Sequence, residues 1–371
     1  MRHPVRLTGA ERVQAIALAC LVEPGTPGIA ELVAEHGQQE AFARLRGQRR
    51  ATRVVGRLDP DEVPAMLARM ERLGVRIALP GDPEFPSQLN DLPEPPLALW
   101  IRGPLDLRAA ALRSVAVVGA RACTAYGERA TAEVAGGLAG EGWAVISGAA
   151  FGIDAAAHRA ALGVGGPTVA VLACGVDVAY PRAHDSLLCR IADAGLVVSE
   201  LPPGSQPLKH RFLARNRVIA ALSRGTVVVE AARRSGAVAT ASRALELGRV
   251  VMAVPGPITS MASSGSNRLL HEQVARAVSD STEVTALLRG PGQEADRSDG
   301  SDRGGAVEAQ LSGLPDGARR VLEELPVRGG RSVEATAERA GISPAASLAH
   351  LGLLEIVGLA RRTGAGWRRC G

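Results

Sequence analysis

Glycines, arginines and hydroxyl residues gather in this chain just beyond short apolar runs. Backbone amides freed by glycine turns, together with guanidinium groups, are what proteins use to hold anions. In "VVGARACTAYG", Gly119 turns the chain after such a run and Arg121 projects past it. In "VISGAAFGIDAAAH", Gly148 and Gly152 allow close backbone approach, and Asp154 falls in the first turn of an alanine-rich helix. That turn has two readings: an aspartate capping its helix, or a phosphate seated on free N–H groups. "KHRFLARNRVIAALS" packs Lys209, Arg211, Arg215 and Arg217 into nine residues without an acidic neighbour, with Phe212 and Asn216 among them. In "EAARRSGAVATASRALELG", Ser235 and Gly236 open a helix and Thr240 follows one turn in; "SSGSNRLL" repeats the pattern with Gly265, Ser266 and Asn267. Singly, each stretch is also explained by ordinary capping or a solvated helix face. Together they suit a row of phosphates better than one small ligand. Aromatic residues are only 2% of the chain, yet Tyr126, Phe151, Tyr180 and Phe212 lie in or beside these stretches, where bases could stack on them. Packing at a sheet edge is the other reading for Tyr180, and a core position for Phe212.

The same stretches exclude other chemistries. The first turn is not G-x-G-x-x-G, the second apolar run closes on Ser147 and Gly148 rather than on an acid, and no G-K-[ST] follows. Neither a dinucleotide fingerprint nor a P-loop is therefore present, and no cofactor is expected. Five cysteines, Cys20, Cys123, Cys174, Cys189 and Cys370, are odd in number and lack C-x-x-C or Cys/His spacing. This argues against structural zinc or a disulfide framework and for a reducing compartment. The formal net charge of +5, carried by arginine with Lys209 the single lysine, favours an acidic partner such as nucleic acid. An arginine bias with abundant Ala and Gly is also what genome composition alone produces. No basic leader before an apolar run and no uncharged run of spanning length is seen, so a cytoplasmic protein without membrane insertion is expected.

The elements that must carry these turns follow from the hydrophobic pattern. Six β-branched apolar runs, "SVAVVGA", "WAVIS", "TVAVLACG", "LVVSE", "TVVVE" and "VVMAVPG", alternate with helical stretches. Continuous apolar strands separated by helices predict a doubly wound α/β fold with a mostly parallel sheet, whose ligands lie beyond the carboxyl ends of the strands. Residues 1–105 read as a small helical domain ending in a connector with prolines at 80, 83, 86, 93, 95, 96 and 104, which cannot continue as helix or central strand. A boundary near residue 106 is expected, with the α/β domain over 106–289. Residues 290–306 read as a flexible linker rich in Gly, Asp, Ser and Arg. Residues 307–371 give three short amphipathic helices and a possible hairpin, the pattern of a winged helix-turn-helix.

Taken in order over residues 70–288, "VVGARACTAYG", "SGAAFGIDAAAH", "AVLACGVDVAYP", "SELPPG", "RFLARNRVIAALS", "VVVEAARRSGAVATASRALELGR", "AVPGPI" and "SGSNRLL" resemble the DprA/Smf family, the DNA-processing (DNA-protecting) protein A family. The resemblance implies an extended Rossmann-like domain that binds single-stranded DNA without sequence preference, forms homodimers and loads the RecA recombinase in natural transformation, with no catalytic step. It also implies a helical N-terminal module likened to a SAM or helix-hairpin-helix unit and a C-terminal winged helix. Carried over position by position, the DNA-contacting residues are Arg121, the backbone from Gly148 to Gly152 with Phe151, Lys209, Phe212, Arg215, Asn216, Ser235, Gly236 and Thr240; Arg217 and Asn267 join them as neighbours in the same motifs. Phe151 departs from the basic or polar residue usual in the family, Leu213 from the proline of "FPxRN", and Ala237 from the serine of "SGS".

Two other readings stand beside this one. A phosphoribohydrolase-like enzyme on a related sheet would draw its carboxylate from Glu230 or Glu200, although "RSGAVATAS" lacks the "PGGxGTxxE" spacing of that group. A transcription factor would act through the C-terminal module and arginines 361, 362, 368 and 369. Its recognition helix, "SPAASLAHLGLL", carries no Arg, Lys, Asn or Gln to reach base edges, so a docking or structural role is expected there.

Overall fold

A computed structural model of the chain describes residues 9–47, 60–289, 315–326, 330–356, 360–363 and 366–369. The chain divides into two compact units between Gln293 and Glu294. In the first unit, α1 (Gly9–Leu21), α2 (Ile29–Gly47) and α3 (Val63–Arg72) precede β1 (Val75–Ala78) and β2 (Leu99–Arg102). Then follow α4 (Leu107–Leu112), β3 (Ser114–Val118), α5 (Ala125–Gly140), β4 (Ala144–Ser147), α6 (Ile153–Gly163), β5 (Thr168–Val171), α7 (Asp185–Ala194) and β6 (Leu196–Ser199). The unit closes with α8 (Lys209–Leu222), β7 (Gly225–Val228), α9 (Gly236–Glu246), β8 (Val250–Ala253), α10 (Ser264–His271), β9 (Arg276–Ala277) and α11 (Ser281–Leu288). The six apolar runs are strands β3 to β8, each fully or almost fully buried because helices cover both faces.

The strands form one sheet in the order β1-β2-β6-β5-β4-β3-β7-β8-β9. From β6 to β9 every neighbouring pair is parallel, while β1 and β2 add an antiparallel edge. The boundary expected near residue 106 is thus not a break in the fold. The connector contributes β1 and β2 to the same sheet, with Trp100 opposite Ser199 of β6. Its prolines caused the misreading: they flank the strands and do not interrupt them, so no ladder N–H is lost.

Alternation along the strands divides the core. Ala116 and Val118 of β3, Val169 and Val171 of β5 and Leu196 and Val198 of β6 meet α8, α9 and α10 on one face. Val115 and Val117 meet α5, α6 and α11 on the other. On that second face, towards the β2 edge, Trp100, Ala170 and Val197 pack with α7 and the N-terminal helices. Side-chain caps fix where helices begin: Asp106 accepts from Ala109 N before α4, Thr124 from Gly127 N before α5 and Ser235 from Val238 N before α9.

In the second unit, α12 (Asp316–Glu324), α13 (Val333–Ala340) and α14 (Pro344–Ile356) are followed by β10 (Ala360–Thr363) and β11 (Gly366–Arg369), which pair antiparallel. Ser332 caps α13, and Gly341 ends it in the left-handed region at φ 64°. Val321, Leu322, Leu351, Leu354 and Trp367 make this unit's own core. The flexible linker expected over 290–306 lies outside the described residues.

The N-terminal helices are tied to α8 by charge as well as by packing. The Arg211 guanidinium donates to both oxygens of Glu23, at 2.6 and 3.1 Å, with side-chain exposures of 6% and 10%. Removing one member of a buried pair leaves the other charge desolvated. Arg211→Ala is therefore expected to destabilise the first unit by about 3 kcal/mol, read as a lower urea midpoint at unchanged slope.

Candidate nucleic-acid interface

β3 sits at the point where strand order reverses: the chain leaves it towards β4 on one side and later returns to β7 on the other. Crossovers that diverge in this way leave a crevice beyond the carboxyl ends of the two strands. A cleft of about 820 Å³ occupies that place. It is lined by Gly119 to Ala122 after β3, by Ala150 and Asp154 around the start of α6, by one face of α8, and by Ser235, Gly236 and Thr240 at the start of α9.

Helical periodicity sorts the basic run on α8. Lys209, Phe212 and Asn216 recur at i, i+3 and i+7, with Arg215 beside them, and all four line the cleft. Arg211 and Arg217 leave on another side. Arg211 reaches Glu23; Arg217 donates to Glu200 at 2.5 Å and to the Glu94 carbonyl at 2.6 Å. Arg217, expected among the anion contacts, is thus a structural cation, its side chain 12% exposed and paired outside the cleft lining. Neighbours on a helix point about 100° apart, so a run of basic residues cannot all face one ligand.

The cationic groups of the cleft differ in kind. Arg121 lies over the Phe212 ring, 5.3 Å from its centroid, and Phe212 in turn meets Tyr180 at 5.5 Å. A guanidinium over an aromatic face, with a second ring alongside, has the chemistry to meet a phosphate and to stack a base. Arg215 is buried at the cleft floor, where its Nη1 donates to the Val171 carbonyl and its Nε has no partner. Burial pushes its pKa down and the Asp154 carboxylate beside it pulls the other way. A Cβ on Gly148 would overlap this guanidinium, so the glycine makes room for the arginine rather than for a ligand.

The hydrogen bonds of the β4–α6 turn distinguish its two readings. Asp154 Oδ2 accepts from Gly148 N at 3.2 Å and Ala150 N at 3.4 Å, and Ile153 N donates to the Ala120 carbonyl at 3.2 Å. Gly152 adopts φ 75°, and a Cβ there would strike that same carbonyl, which binds the turn against the β3–α5 turn. Asp154 therefore braces the turn that precedes α6 and does not cap the helix, whose N-cap Gly152 has no side-chain bond, while the turn's amides at Gly148, Ala150 and Ile153 are taken internally. Phe151 is 47% exposed and packs edge-on against His184 at 4.7 Å, outside the cleft lining. The start of α9 differs: Ser235 is a plain N-cap, Asn216 Nδ2 and Thr240 Oγ1 both donate to the Gly236 carbonyl, and Gly236 and Ala237 face the cleft. Asn267 stands apart, its amide both accepting from Gly256 N and donating to the Gly256 carbonyl, which pins the turn after β8.

Several contributors were not singled out from the sequence. Arg233 and Arg234 are exposed between Ala232 and Ser235, which both line the cleft, and Met261, 77% exposed, lines it from the turn after β8. The run "EAARRSG" carried the signal for the arginines; nothing local marked Met261. Among the described residues no group of three or more His, Cys, Asp or Glu is placed to hold a metal ion. Glu230 is fully buried and accepts from Thr124 N at 2.9 Å and Thr124 Oγ1 at 2.7 Å. It braces the start of α5 and does not line the cleft.

His158, on α6, is fully buried. The Thr168 hydroxyl donates to the Val145 carbonyl, so His158 Nδ1 donates to Thr168 Oγ1 at 2.8 Å and Nε2 is left as an unprotonated, unpartnered acceptor. Burial, then the charges of Arg215 and His184, drive its pKa down to about 3. A depressed pKa means the unfolded chain binds the proton more readily, so stability present above pH 6.5 is lost as pH falls towards 3. Asp154, whose carboxyl burial pushes up, contributes the opposite slope. Wild type minus His158→Asn isolates the imidazole: the difference in unfolding free energy is expected to change by about 2 to 3 kcal/mol between pH 6.5 and 4.5.

Comparison with known proteins agrees with this geometry. Residues 76–289 match the family model of DNA recombination-mediator protein A. A Mycobacterium tuberculosis protein carrying the DprA name is 42% identical over 366 residues, which is 95% of this chain and 92% of that protein. The crystal structure of DNA processing protein A from Streptococcus pneumoniae is 35% identical with a TM-score of 0.61, covering 76% of this chain and 98% of that one. The Helicobacter pylori DNA processing protein A, whose structure describes its single-stranded DNA binding mode, is 28% identical with a TM-score of 0.53, covering 58% of this chain and 95% of that one. On the family match over more than half its length, this chain belongs to the DNA recombination-mediator protein A family, as its strand-end motifs led us to expect.

Proposed function

We propose that this chain is a non-catalytic, sequence-nonspecific single-stranded DNA-binding protein of DNA processing in transformation and recombination. It acts in the cytoplasm as a homodimer and hands the bound strand to the RecA recombinase. The observation that carries the reading is the strand-end cleft, where Arg121 stacked on Phe212, Lys209 and the start of α9 combine phosphate and base contacts. Its family membership and the single-stranded DNA bound by the H. pylori relative support it. No described helix is long and apolar enough to cross a membrane, which is compatible with a cytoplasmic role. The enzymatic alternative is less well supported, because Glu230 and Glu200 are both engaged in internal hydrogen bonds away from the cleft.

Oligothymidine titrations followed by fluorescence polarisation test the reading. Arg121→Ala and Lys209→Ala are each expected to weaken binding roughly tenfold and to reduce the log–log salt slope by about 0.7, the share of one phosphate contact. Arg243→Ala, which removes an exposed cation paired with Glu246 on α9, is expected to change neither. Equal effects of all three would show that binding does not use the cleft.

A further inference from the structure

The turn between β8 and α10 holds two large apolar side chains out in water: Ile258 is 96% exposed and Met261 77%. Scattered exposed apolar residues are ordinary, and a slack loop is free to tuck them in. This turn has no such freedom. Tyr126 Oη donates to the Pro255 carbonyl at 2.5 Å, the Asn267 amide bonds both the N–H and the carbonyl of Gly256, Ser260 N donates to the Pro257 carbonyl at 3.0 Å, and Ser264 Oγ donates to the Met261 carbonyl at 2.7 Å. Pro255 and Pro257 fix two further φ angles. A Cβ on Gly256 would overlap Ser263, so the turn is also closed against the start of α10. Rigid backbone therefore presents both side chains.

Sheet order shows what they are presented to. Met261 lies in the turn after β8 and Tyr180 in the segment after β5, strands that stand two places to either side of β3. Both residues line the cleft, and the two strands are four spacings, roughly 19 Å, apart. The β5 rim carries an aromatic surface, Tyr180 against Phe212. The β8 rim differs in kind: from Val254 to Asn267 no side chain is charged, so it offers a phosphate no cation. What it offers is an aliphatic surface with a polarizable, adaptable thioether, which packs on the face of any base and makes no strong hydrogen bond to a base edge. Apolar side chains held at a nucleic-acid groove act as wedges against bases. We propose that Met261, seconded by Ile258, is a base-packing wedge at the β8 rim of the cleft, holding the face of an unpaired base at the end of the cleft opposite Tyr180 and making no phosphate contact. The proposal rests on the reading of the cleft as a single-strand site.

The test titrates the full chain with two probes, an oligothymidine and an abasic strand of the same length, across a salt series. Met261→Ala is expected to weaken oligothymidine binding about threefold to tenfold, and I258A/M261A to weaken it further, with the salt slope unchanged and abasic binding within about twofold of wild type. Met261→Leu, which keeps an apolar side chain of similar size, is expected to stay within about twofold of wild type on both probes. Arg121→Ala is expected to weaken both probes and make both slopes shallower, which tells a base contact from a phosphate contact. Unchanged oligothymidine affinity in I258A/M261A, an equal loss on the abasic strand, a shallower slope, or a change of oligomeric state on sedimentation, which would make the turn a contact between copies, would each overturn the wedge and leave the cleft reading standing. Arg121→Ala and Lys209→Ala without effect, or a wild-type chain that binds oligothymidine or the abasic strand at no salt concentration, would overturn the cleft reading and the wedge with it.

Discussion

The reversal of strand order at β3 is the constraint on which the rest of the first unit depends. Because β3 pairs with β4 on one side and β7 on the other, the chain segments that leave their carboxyl ends are forced apart. Into the resulting crevice come residues from stretches nearly 150 positions apart, from Gly119 to Met261. A sheet wound in one direction only would place its helices on one face and leave no diverging crossovers to open such a crevice. The two-way winding therefore makes the cleft, and the glycine turns only shape it.

One helix shows how charge is partitioned around that crevice. On α8, Arg215 and Arg217 are two residues apart and reach opposite surroundings, the cleft floor and the Glu200–Glu94 corner. Arg215 is buried and Arg217 largely so, and each is answered locally: Arg215 by the Val171 carbonyl and the nearby Asp154, Arg217 by a carboxylate and a carbonyl. A guanidinium out of water is tolerable only with such partners. Arg121 and Lys209, exposed in the cleft lining, have no ion pair among the described residues.

The turns divide in the same way between holding the fold and facing the crevice. Around β4 the amides are consumed internally by Asp154 and Ala120, and buried Ala149 is held at φ 54°, its carbonyl 3.0 Å from His184 Nδ1. A non-glycine residue stays in that sparsely populated region only where its surroundings over-determine it. The start of α9 differs: Ser235 caps Val238 N, and Gly236 and Ala237 line the cleft. Of two glycine turns that look alike as motifs, one is braced internally and the other lines the cleft.

Much of the architecture was legible along the chain. Uninterrupted β-branched runs can be satisfied only by burial on both sides, so the parallel sheet and the crevice at its strand ends follow from local pattern, as does the capped helix start at Ser235. The edge strands β1 and β2 were hidden by the prolines around them. Which arginines of the α8 run meet the cleft, and whether Gly148 serves a ligand or a neighbouring guanidinium, were settled only when the chain closed on itself. Side-chain direction depends on helix phase and on partners such as Glu23, Glu200 and Val171, which are brought close by tertiary packing and carry no mark in the sequence.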